Sequence, residues 1–126
     1  MTLNVLFAGK AERWPYYQGP LNEAFKALGI DAHLATDIAP DQVDYIVYAP
    51  NSDLRDFTPY IRAKSVLNLW AGVEGIVGNK TLTIPLTRMV DAGLTQGTIE
   101  WVCGHTIRHS LGMALALILI SAPTIL

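Results

Sequence analysis

Cysteine is nearly missing from this chain of 126 residues: Cys103 stands alone, so neither a disulfide framework nor a thiolate metal site can be assembled. Charge is sparse as well. Nine Lys plus Arg against 11 Asp plus Glu leave a net charge of −2. The cations are scattered from Lys10 to Arg108, without the basic stripe that neutralises a phosphate backbone, so nucleic acid is not an expected partner. The N-terminus shows no basic segment, long apolar segment or small-residue cleavage pattern. No apolar run reaches the roughly 20 residues that cross a bilayer. A dinucleotide fingerprint is lacking too, because Gly72-Val-Glu-Gly75 has no Gly-x-Gly opening. These absences leave one core in a reducing compartment, with the cytoplasm as the expected location, no membrane contact and no cofactor site of its own.

What is present alternates. Leu3–Ala8 is an apolar run of strand formers closed by Gly9, and after a loop holding Trp14, Pro15, Tyr16 and Tyr17, the spacing of Leu21, Phe25 and Leu28 predicts a helix. Gly29 stands where a left-handed helix cap belongs. Ile30–Leu34 and Val43–Ala49 read as strands two and three, the latter ended by Pro50-Asn51, with Thr36–Gln42 a loop between them. Asp53–Ala63 has room for a short helix limited by Pro59, Val66–Trp70 is strand four, and Ile84–Val90 strand five. Strands alternating with helices at this spacing predict an open parallel five-stranded α/β sheet with helices on both faces, ligands collecting at the strand C-termini.

The final helix from Thr98 places Ile99, Val102, Cys103 and Ile107 on one face, which makes Cys103 an expected buried, inert thiol. Beyond Arg108 the two-faced pattern ends, and Leu111–Ile120 is apolar or glycine throughout. His105 and His109 share a helical face, but Gly104 and Thr106 flank the first where a zinc protease needs Glu, so they are expected to be ordinary helix residues and not metal ligands.

The stretch with most chemistry is Val66–Glu74, a strand running into a glycine turn, the arrangement by which α/β proteins present backbone N–H groups to an anion. Tyr48, Pro50 and Asn51 follow strand three at the same sheet edge and are candidates to line a pocket opposite that turn. Arg88 is the cation of strand five; it favours an anionic substrate, or is a solvated surface charge, or is a partner of Asp91.

Trp70-Ala-Gly-Val-Glu74, Ile84–Gly97, Glu100-Trp-Val and Asp44–Pro50, with Arg13-Trp14 in the first loop, together resemble the substrate domain of D-isomer-specific 2-hydroxyacid dehydrogenases, in their glyoxylate/hydroxypyruvate reductase A branch. The resemblance covers about residues 1 to 113. It implies a flavodoxin-like substrate-binding domain over residues 1–96, then a crossing helix and apolar tail over 97–126, the family's NAD(P)-binding domain being absent here. The dinucleotide fingerprint and the catalytic arginine, glutamate and histidine of that family have no counterparts here, so the chain alone is expected to be inactive. The family's turn donates main-chain N–H groups to the carboxylate of a small 2-oxo or 2-hydroxy acid, a role that falls on Ala71 and Gly72, whereas Trp70 replaces a glycine common there and would wall or crowd the pocket. The alternative expectation is a non-catalytic module that homodimerises through its apolar C-terminal helix.

Overall fold

The structure is a computed structural model and describes residues 2–113. Its strands are β1 (Leu3–Ala8), β2 (Ala32–Ala35), β3 (Tyr45–Tyr48), β4 (Ser65–Asn68) and β5 (Leu86–Arg88), with α1 (Trp14–Ala27) between the first two strands and α2 (Ala92–Ser110) after the last. All pairings are parallel, in the order β2-β1-β3-β4-β5. That is the flavodoxin-like order, whose direction reverses between β1 and β3. The open parallel α/β sheet expected from the alternation is therefore present.

Strand β1 shows how the sequence builds two layers. Successive side chains of a strand point to opposite faces, so Leu6 and Ala8 join one buried cluster with Ile46, Tyr48 and Val66, while Val5 and Phe7 join another with Leu34 and Val47. Helix α1 covers the second cluster through Trp14, Tyr17, Leu21 and Phe25. The expected loop at Trp14–Tyr17 is thus the first turn of α1. Proline there forfeits only an N–H that would have no helical partner, and its fixed φ suits a helix start. The apolar stripe consequently extends toward the N-terminus, leaving Leu28 74% exposed beyond the helix. Gly29 ends α1 at φ 65°, with its N–H on Lys26 O (3.1 Å) and that of Ile30 on Phe25 O (2.8 Å).

Irregular chain covers the other face. The segment Asp53–Ala63, with room for a short helix in the sequence, is turns and irregular chain instead, as is much of Val73–Ile84, and between them they bury Phe57, Ala63 and Ile76. Local side chains compete with a helix for the backbone there: Ser52 Oγ accepts from Leu54 N–H (3.0 Å) and Asp56 Oδ1 from Thr58 N–H (2.9 Å). Thr81 Oγ1 accepts from Phe57 N–H (3.0 Å), and Asn79 donates to Arg55 O (2.8 Å), so the two segments hold each other. Buried Asp44 ties this cover to the sheet, accepting from Asn4 N–H (2.9 Å) and from the Arg62 guanidinium (2.8 Å). Those two donors, the amide first, hold its carboxyl below the usual carboxylate range.

The chain divides into two compact units, Met1–Val90 and Asp91–Leu126. In the second, Asp91 caps α2, its Oδ1 accepting from the N–H groups of Gly93 (2.6 Å) and Leu94 (3.1 Å), so the helix starts ahead of the expected Thr98. Cys103, expected to be buried, is exposed, because α2 buries none of its residues. The apolar run Leu111–Ile120 lies outside the described residues from 114 onward. No helix among the described residues is long and apolar enough to cross a membrane.

Candidate functional site

The strand ends meet in register: Ala8 pairs with Tyr48, Tyr48 with Asn68, and Asn68 with Arg88. From this row the glycine turn departs, anchored by Leu69 N–H on Tyr48 O (2.9 Å) and Met89 N–H on Asn68 O (3.1 Å). The carbonyls of Trp70, Ala71 and Gly72 are each engaged by a side chain. Asn68 Nδ2 donates to Trp70 O (2.6 Å) and to Gly72 O (2.9 Å), and Arg88 Nη1 donates to Ala71 O (3.3 Å). Among the described residues, no acceptor engages the N–H groups of Trp70, Ala71 or Gly72. With these three oxygens held, the turn presents backbone N–H donors, with the Glu74 carboxylate lying beside Gly72.

Asn68 is 4% exposed, and its Oδ1 is buried without a partner among the described residues. Leaving an acceptor orphaned costs free energy, so this side chain holds the turn at the expense of local stability. Gly72 does not have a left-handed backbone, and a Cβ there would lie 2.8 Å from Glu74 Oε2, the movable end of an exposed side chain, so a small side chain needs only Glu74 to swing aside.

Beside the turn a cleft of about 260 Å³ is lined by Phe7, Arg13, Tyr17, Ala49, Asn51 and Trp70. It opens at the ends of β1 and β3, where the strand order reverses and α/β sheets bind ligands. Trp70 belongs to both features, since its carbonyl carbon bears the Ala71 nitrogen. Asn51 and Trp70 are therefore brought together, whereas Tyr48 lies on the opposite face. There Tyr48 is 1% exposed with its ring 5.7 Å from that of Phe57, and its hydroxyl accepts from Arg55 Nη1 (2.9 Å). Arg88 engages the turn's backbone, and no ion pair links it to Asp91 among the described residues.

Arg13 is not among the pocket residues that the sequence points to, since a loop at Trp14–Tyr17 leaves its position undefined. The signal was Pro15 followed by the stripe Trp14, Tyr17, Leu21 and Phe25, which starts a helix with Arg13 just ahead of it at the strand ends. A second cleft near the end of β1, about 330 Å³, is lined by Asp37, Ser52 and Asp53 among others. Asp53 is paired there with Lys10 at 2.7 Å, which keeps its carboxyl below the ordinary range. One side of the switch point is acidic and the other carries Arg13, so an anion is favoured on the Arg13 side.

Gly72-Val-Glu-Gly75 leads into turns and not into a helix N-terminus that could receive a pyrophosphate. In the second unit the His105 ring lies 4.5 Å from Trp101 and 6.4 Å from His109. Among the described residues no group of three or more His, Cys, Asp or Glu is placed to hold a metal ion. No protein-family model, curated protein or solved structure matches the chain.

Proposed function

We propose that this chain binds the carboxylate of a small 2-oxo or 2-hydroxy acid on the N–H groups of Ala71 and Gly72, as the substrate-binding lobe of an NAD(P)-dependent D-2-hydroxyacid dehydrogenase of the glyoxylate/hydroxypyruvate reductase type. The observation that supports it is the turn itself, three successive carbonyls held by Asn68 and Arg88 beside N–H groups without acceptors. Hydride transfer needs a nicotinamide, a cation and an imidazole around one carbon. Residues 2–113 contribute the carboxylate grip, and the hydride donor and proton donor belong to another part of such an enzyme.

Titrating ¹⁵N-labelled protein with glycolate and glyoxylate tests the grip. The amide signals of Ala71 and Gly72 should shift most, saturably; signals that stay unmoved at those two positions would refute it. Glu74→Gln should tighten binding, because it removes a like charge beside Gly72. Pure protein supplied with NADH or NADPH should reduce neither glyoxylate nor hydroxypyruvate, and cofactor-dependent turnover would overturn that expectation.

A second reading, homodimerisation through the C-terminal helix, is favoured by the exposed Leu94, Ile99, Trp101, Val102 and Ile107 of α2, Trp101 at 65%. Light scattering decides it: a dimer that Trp101→Glu converts to monomer supports it, and a monomeric wild-type chain rules it out.

A further inference from the structure

Resting on the carboxylate reading above, we infer that the acid has a second anionic group, held by Arg13 and Asn51 in the cleft beside Trp70, so that the ligand class is a 2-oxo or 2-hydroxy dicarboxylate. The other cations around the strand ends are engaged: Arg88 on Ala71 O, Lys10 on Asp53, Arg55 on the Tyr48 hydroxyl. Arg13 enters neither of the ion pairs found among the described residues, and it lines the cleft together with Asn51. A guanidinium fork matches a carboxylate in two parallel hydrogen bonds, and the Asn51 carboxamide adds a neutral donor.

Position and size select the ligand. Trp70 lines the cleft and directly precedes Ala71 in the chain, so a short dicarboxylate is the ligand that would set one carboxylate on the turn and the other toward Arg13. The cleft's volume of about 260 Å³ approaches the lower bound of roughly 300 Å³ for small-molecule sites, more than a two-carbon acid fills. Phe7, Tyr17 and Trp70 supply apolar walls that suit a methylene chain between two charged ends.

The test compares 2-oxopentanedioate with 2-oxopentanoate, which share a chain length and differ by one terminal carboxylate, using the Ala71 and Gly72 amide signals of the whole chain. The dicarboxylate should bind about tenfold tighter, the value of one charge-assisted hydrogen-bonded pair. In Arg13→Gln the ratio of the two affinities should fall to about one. Arg13→Lys, which keeps the charge and loses the fork, should give an intermediate ratio. Equal affinities in the wild type, or a ratio that survives Arg13→Gln, overturn the dicarboxylate inference while the carboxylate grip stands. If neither acid moves the Ala71 and Gly72 signals, the grip fails and the inference with it.

Discussion

The two faces of the sheet are covered by different means. On one, α1 lays Trp14, Tyr17, Leu21 and Phe25 over Phe7, whose ring is 5.2 Å from Trp14 and 5.4 Å from Tyr17, and the contact is entirely apolar. On the other, irregular chain covers Ile46, Tyr48 and Val66, fastened by Asp44, Ser52, Asp56, Asn79 and Thr81. A helix satisfies its own backbone, whereas a loop must borrow side chains to do so. The site follows from this difference: the residues that hold the turn's carbonyls, Asn68 and Arg88, stand in the Tyr48 row of the loop-covered face, while the cleft walls Phe7 and Tyr17 come from the helix-covered face.

Breaking the helix-covered face should have the largest effect. Phe7→Ala removes the ring at the centre of the aromatic group and should cost about 3–5 kcal/mol in urea unfolding; a loss below about 1 kcal/mol would show that α1 is held by something else. Asn68→Ala should cost less, about 1–3 kcal/mol, because two carbonyls lose their donor while an orphaned acceptor disappears. It should also shift the Ala71 and Gly72 amides in the free protein, and unchanged amide signals would deny Asn68 its hold on the turn. Thr81→Val keeps shape and deprives the Phe57 N–H of its acceptor, for about 1 kcal/mol, with no change expected in the α1 contacts. A result equal to Phe7→Ala would erase the distinction between the faces.

The smallest effect is one of pH. Asp44 is more acidic in the folded chain than in the unfolded one, so its contribution is complete above the ordinary carboxylate range and is lost as pH falls through the lowered folded value. Asp44→Asn should therefore flatten the acid side of the stability profile, and an equally steep acid loss in the variant would assign it to other groups.

Strands β1 and β3 were legible because continuous apolar runs can be satisfied only in a sheet buried on both sides, and Gly29 because a left-handed cap admits few other residues. The location of the turn was legible for the same reason, as glycine after a strand. Its mechanism was not. The hold of Arg88 on Ala71 O depends on the β4–β5 register, a pairing of residues far apart in the chain, and the local hold of Asn68 on Trp70 O and Gly72 O carries no hydrophobic period. Tyr48 was assigned to the pocket because it ends β3, although period-two alternation sends it and Val47 to opposite faces. The loop-covered face was missed for a different reason: side-chain acceptors such as Ser52 and Asp56 stabilise turns that carry no hydrophobic period.

The central place of β1 has a consequence for how the molecule forms. Leu3 pairs with Ala32 on one side and Val5 with Tyr45 on the other, so β1, which precedes both neighbours in the chain, waits for them during synthesis. Parallel pairings across such separations are slow to close, because loop entropy is lost before contacts form. Until Tyr48 has left the exit tunnel, Val5, Leu6 and Phe7 are sticky and unsheltered, and the nascent chain is most open to misassociation or chaperone capture in that interval.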